Sequence, residues 1–101
     1  MQRGYSAEKL VAFDIMNDSM NPSLIPGDSV LINLADTMPV SGRIYAASFE
    51  GETLVRRLHR DGTAWWLVAD NPNQNRFPRI ELNPAYSAIV GRTVLRQTED
   101  L

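Results

Sequence analysis

The sequence predicts a mainly β, antiparallel domain with few or no helices, and three features lead there. Short runs rich in β-branched and aromatic residues alternate with turn dipeptides such as Glu50-Gly51 and Asp61-Gly62. Apolar residues show little recurrence at helical spacing. Six prolines interrupt the chain too often for long helices. At 101 residues the chain is one small domain with a modest core. Partly barrel-like, highly curved sheets are the expected architecture.

Each element follows from its residues. Residues 9–16 (KLVAFDIM) are β-prone and open the domain. Residues 17–28 form a turn region punctuated by Pro22 and by Pro26-Gly27-Asp28. A short buried-type strand follows at 29–34, ended by the polar stretch 35–39. Residues 43–49 form the next strand, and Glu50-Gly51 turns it into a partner at 52–60. Asp61-Gly62 leads into 64–69, and the loop 70–75 leads to a short strand at 79–82. Residues 86–96 close the sheet, with Gly91 as a bulge or a point of close backbone approach. The domain therefore spans 9–97, with a flexible linker remnant at 1–8 and a flexible C-terminus at 98–101.

Composition removes several function classes. The net charge is −2, and the chain's pI of about 5.2 argues against this segment gripping nucleic acid by itself. With no cysteine and one histidine, His59, neither a disulfide framework nor a conventional zinc site is expected, and no metal or cofactor is called for. No apolar run reaches the roughly 20 residues of a membrane span, and the expected compartment is the cytoplasm. The basic residues are nine arginines and one lysine, Lys9. A desolvated lysine can give up its proton, whereas an arginine effectively cannot.

The informative segment is Asp18-Ser19-Met20-Asn21-Pro22, followed by Pro26-Gly27-Asp28. It presents a hydroxyl on a tight turn at the lip of a sheet. A serine hydroxyl attacks a carbonyl only when a base within hydrogen-bond reach takes its proton and N–H donors receive the oxyanion. The backbone N–H groups of Ser19 and Met20 are candidates for the donors. Asn17 and Asp18 are expected to brace the turn, and Asp28 to brace the Pro26-Gly27 turn. Arg56 lies 37 positions after Ser19, and alternation along its strand puts Leu54, Arg56 and Leu58 on one face. A charge between two leucines is costly, which marks position 56 as part of a site. Lys9 is expected at the surface, and His59 faces away from Arg56.

These segments resemble the self-cleaving serine–lysine peptidases of the LexA and phage-repressor family. The resemblance runs through Asp18-Ser19-Met20, Pro26-Gly27-Asp28, Val55-Arg56-Arg57-Leu58, Ala69-Asp70-Asn71-Pro72 and Ile89-Val90-Gly91-Arg92, and covers about residues 9–97. It implies Ser19 at the nucleophile position and Arg56 where the general-base lysine belongs. Signal peptidases share the serine turn, but with a membrane anchor and a longer spacing.

The resemblance implies a C-terminal dimerisation and regulatory domain of a phage-type or SOS-type repressor, with the dyad disabled at position 56. Its partners are then a second copy and operator DNA held by an N-terminal helix-turn-helix outside this chain. A recombinase filament is the family's inducer. Trp66, Ile89, Val90 and Val94 are the expected dimer contacts. The alternatives are an active self-cleaving serine peptidase and a small β module that merely retains the turn.

Overall fold

The computed structural model describes residues 9–97, with side chains through residue 94, and contains β1 (Leu10–Asp14), β2 (Ser29–Asn33), β3 (Ile44–Phe49), β4 (Glu52–Asp61), β5 (Ala64–Val68), β6 (Ile80–Glu81) and β7 (Ser87–Gln97). The two termini assigned as flexible, 1–8 and 98–101, lie outside the described residues. All strand pairs are antiparallel and form one sheet in the order β1-β2-β7-β3-β4-β5-β6. Each predicted strand is present, with its ends shifted by no more than two residues. Among the described residues the sheet is open, with β1 and β6 as its two edges, so it does not close into a barrel.

Turn chemistry sets the hairpins. Glu50 and Gly51 both have positive φ (50° and 87°), the geometry of a two-residue turn whose twist matches the flanking strands. The loop after β4 uses Gly62 and Thr63, with Asp61 opposite Ala64 as the last strand pair. Gly91 is a point of close approach. A Cβ there would run into the carbonyl of Asn33 and the side chain of Ile32, and the β3–β7 ladder shifts register beside it, at Val90, while the β2–β7 ladder shifts further along the strand, at Val94. The central strand β7 thus passes through the sheet only because position 91 has no side chain.

Alternation along β3 divides the core. Ala46 joins Val55, Val30, Ile32 and Ile15 on one face, while Tyr45 and Ala47 join Leu58 and Leu67 on the other. The first cluster also contains Met20 and Leu24, which are buried on either side of the cis Asn21-Pro22 bond. The serine turn is therefore fastened into the core rather than laid over it. On the second face, the fully buried Tyr45 hydroxyl donates to the Met38 carbonyl at 2.8 Å and accepts from the Val40 N–H at 2.9 Å. That pins the 34–43 loop across the cluster.

The position of the site follows from unequal strand lengths. β4 pairs with β3 along Glu52–Arg57, but β5 pairs only with Arg57–Asp61. Among the described residues, no strand pairs with 52–56 on their second side. The serine turn comes up to that gap, beside Thr53, Leu54 and Val55.

Candidate active site

The Ser19 side chain is almost fully buried, with 3% of the residue exposed. Its N–H donates to Asn17 Oδ1 at 3.0 Å, closing an Asx-type turn. The Asn21 N–H donates to the Asp18 carbonyl at 3.1 Å, and the Leu24 N–H to the Met20 carbonyl at 2.9 Å. Because Ser19 N–H is engaged by Asn17, of the two candidate oxyanion donors it is Met20 N–H that is left without a hydrogen-bond partner among the described residues. Gly27 takes a φ of 99°, and Asp28 Oδ2 accepts the Ile25 N–H at 3.1 Å across the second turn. Pro22 sits after the cis bond in the first turn.

Arg56 meets the serine. Its Nη1 donates to Ser19 Oγ at 2.8 Å and to the Val55 carbonyl at 2.9 Å. The residue is 8% exposed, its Nε is buried without a hydrogen-bond partner, and among the described residues no carboxylate pairs with it. Burial pushes the guanidinium pKa below its ordinary value. That value starts so far above neutrality that the group stays charged. Lys9 is exposed just before β1, whereas Phe13 near the far end of that strand and Ile15 just beyond it line the Ser19 pocket. His59 is exposed on β4.

A second clasp holds the turn, and its members were not among the site residues expected from sequence. Arg57 grips Asp70 with two bonds, Nε to Oδ1 at 2.9 Å and Nη2 to Oδ2 at 2.7 Å. Ser23 Oγ donates to the same carboxylate at 2.5 Å. The bonds from Arg57, aided by that from Ser23, hold the Asp70 carboxyl below the usual carboxylate range, and the Arg57 pKa is raised in return. Asn71 completes the link: its N–H donates to the Ser19 carbonyl at 3.0 Å and its Nδ2 to the Asp18 carbonyl at 2.9 Å. Asp18 thus supports the turn through its carbonyl oxygen. The sequence signal for this clasp was the Asp70-Asn71-Pro72 loop after a strand, together with a second arginine beside Arg56.

Two cavities flank Arg56. A small one of about 100 Å³ is lined by Ser19, Met20, Asn17, Phe13, Ile15, Met16 and residues 53–56. A groove of about 600 Å³ opens on its other side, between Phe49, Glu50 and Tyr86 at one wall and Trp66 with residues 76–81 at the other. Trp66 lies under the Arg79 guanidinium, 3.9 Å from the ring centre. The other residues expected at a dimer contact lie elsewhere. Ile89 packs on the Tyr45 cluster and Val90 on the Ala46 cluster, while Val94 borders a polar recess with Arg43, Arg57 and Arg92.

Among the described residues no cluster of three or more His, Cys, Asp or Glu side chains could hold a metal ion, and no helix is long and apolar enough to cross a membrane. Comparison with curated proteins gives no match. A family comparison does: the Peptidase S24-like family matches residues 2–94, a span that includes the serine turn, β4 and the Asp70 clasp. With nearly the whole chain covered, this protein belongs to the Peptidase S24-like family.

Proposed function

We propose that this chain is the C-terminal dimerisation and regulatory domain of a phage-type or SOS-type transcriptional repressor, with its serine–lysine machinery disabled at position 56. The supporting observation is the 2.8 Å bond from Arg56 Nη1 to Ser19 Oγ. In a working dyad a neutral amine accepts the serine proton. Here the facing group is a cation that only donates. One lone pair of the oxygen is occupied, and the partner cannot take the proton.

Binding is then the remaining role. The acidic net charge supports leaving DNA contact to a separate head, and dimerisation would then space two heads on matching half-sites. An apolar surface supports self-association: Met38 (71% exposed), Val40 and Leu34 are solvent-facing, and a nearby recess is lined by Leu82, Pro84, Ala88 and Ile89. The cytoplasm is the compartment such a role requires. The test is sedimentation equilibrium with a cleavage assay on the same preparation. A dimer at micromolar concentration that leaves its linker intact agrees with the proposal. A monomer, or a chain that processes itself at neutral pH, contradicts it.

An active self-cleaving peptidase is the second reading. The free Met20 N–H beside a buried serine favours it, since the oxyanion donor is in place even where the base is not.

A further inference from the structure

We infer that Arg56 is the receptor for a carboxylate, delivered by a peptide lying in the groove between Trp66 and Phe49. The inference starts from an imbalance of charge. Arg56 is nine-tenths buried, yet Nη1 is bonded only to two neutral oxygens and Nε is buried with no bond at all. The other buried or half-buried guanidiniums among the described residues differ. Arg57 is held by Asp70, and Arg92 has Asp36 Oδ2 at 3.1 Å from Nε, a charge contact without hydrogen-bond geometry. A desolvated cation with no anion beside it is costly, and a carboxylate entering its fork would gain strong charge-assisted bonds.

The surroundings say where the anion comes from. Arg56 is among the residues lining the groove and no residue of the serine turn is, so a ligand there lies beside Arg56 and clear of that turn. Arg76 and Arg79 stand along the same wall, each against an aromatic ring, Phe77 and Trp66 respectively. Three arginines face two carboxylates, Glu50 and Glu81, so the lining is net positive. The aromatic walls suit apolar side chains flanking the carboxylate. An acidic peptide fits this combination better than a nucleic acid, because only one buried guanidinium is presented and the domain as a whole is negative. The inference rests on the proposed function in one respect, that Arg56 stays protonated.

The test uses the whole chain and three matched pentapeptides in calorimetric titration, with the Trp66 indole followed by NMR. The first is Ala-Leu-Asp-Leu-Ala blocked at both ends. The second is the blocked Asn analogue, and the third is that Asn peptide with a free C-terminus. The first or third is expected to bind at least ten-fold more tightly than the second, to weaken with added salt and to shift the Trp66 signal. Which of the two binds identifies the source as an acidic side chain or a chain end. Arg56→Gln is expected to erase the difference between acid and amide. Equal binding of the blocked Asp and Asn peptides together with no gain for the free C-terminus, or no binding by any of them up to millimolar concentration, overturns the inference. So does an acid preference that survives Arg56→Gln, whether or not Arg79→Gln removes it. Self-cleavage by the wild type would defeat the proposed function while leaving this binding comparison readable.

Discussion

Arg57 and Asp70 form a two-bond ion pair, at 2.9 and 2.7 Å, that ties β4 to the loop supporting the serine turn. Since Ser23 shares the same carboxylate and the next residue, Asn71, holds the Ser19 carbonyl, the pair acts on the position of the hydroxyl as well as on stability. The site thus has two arginines in adjacent positions with opposite environments. Arg57 is compensated and half-exposed; Arg56 is uncompensated and buried.

Asp70→Asn is expected to destabilise the domain by about 1–2 kcal/mol, a figure kept low because the Arg57 side chain is 36% exposed to screening solvent. The pH dependence has a defined sign. A carboxyl held below its ordinary value stabilises the fold fully above the unfolded pKa of about 3.9 and loses that contribution as pH falls through the lower, folded value. Urea midpoints for wild type and Asp70→Asn should therefore differ at pH 7 and converge below about pH 4. A constant difference across that range would show that the charge plays no part.

Gly91→Ala tests the close approach in β7. The added carbon meets the Asn33 carbonyl and Ile32, and the backbone can yield only by disturbing two ladders. A loss of about 3 kcal/mol is expected from urea unfolding. A change under about 0.5 kcal/mol would place Gly91 among tolerant surface positions.

Tyr45→Phe removes a fully buried hydroxyl that serves both the Met38 carbonyl and the Val40 N–H. The expected loss is about 1–2 kcal/mol, with faster hydrogen exchange at Val40. Unchanged protection there would mean that the loop is held by other contacts.

The strand order could not be read from the sequence, but the strands could. Residues 29–33 and 44–49 are apolar runs bounded by turn dipeptides, and the Glu50-Gly51 turn sets the β3–β4 register locally. Placing β7 between β2 and β3 depends on non-local packing through Gly91, which carried a signal of close approach without naming its partner. The openness of the sheet was equally hidden, since the two-residue β6 looks like any short strand. At the site, the Ser19 turn and position 56 were legible because a polar or charged residue interrupts an apolar pattern. The Arg57–Asp70–Ser23 clasp was not, because ion pairing between residues so far apart leaves no periodic trace. Asn17, whose side chain takes the Ser19 N–H, was legible as a turn residue from its type alone.

The central claim is that a permanent cation faces the serine and leaves it without a base. The direct measurement is the rate at which a fluorophosphonate probe labels Ser19 in wild type and in Arg56→Lys, from pH 6 to 10. The lysine variant should label about 10² or more times faster, with a rate that rises as its amine deprotonates. Wild type should stay slow at every pH. A wild type that reacts as fast as the lysine variant at neutral pH contradicts the claim.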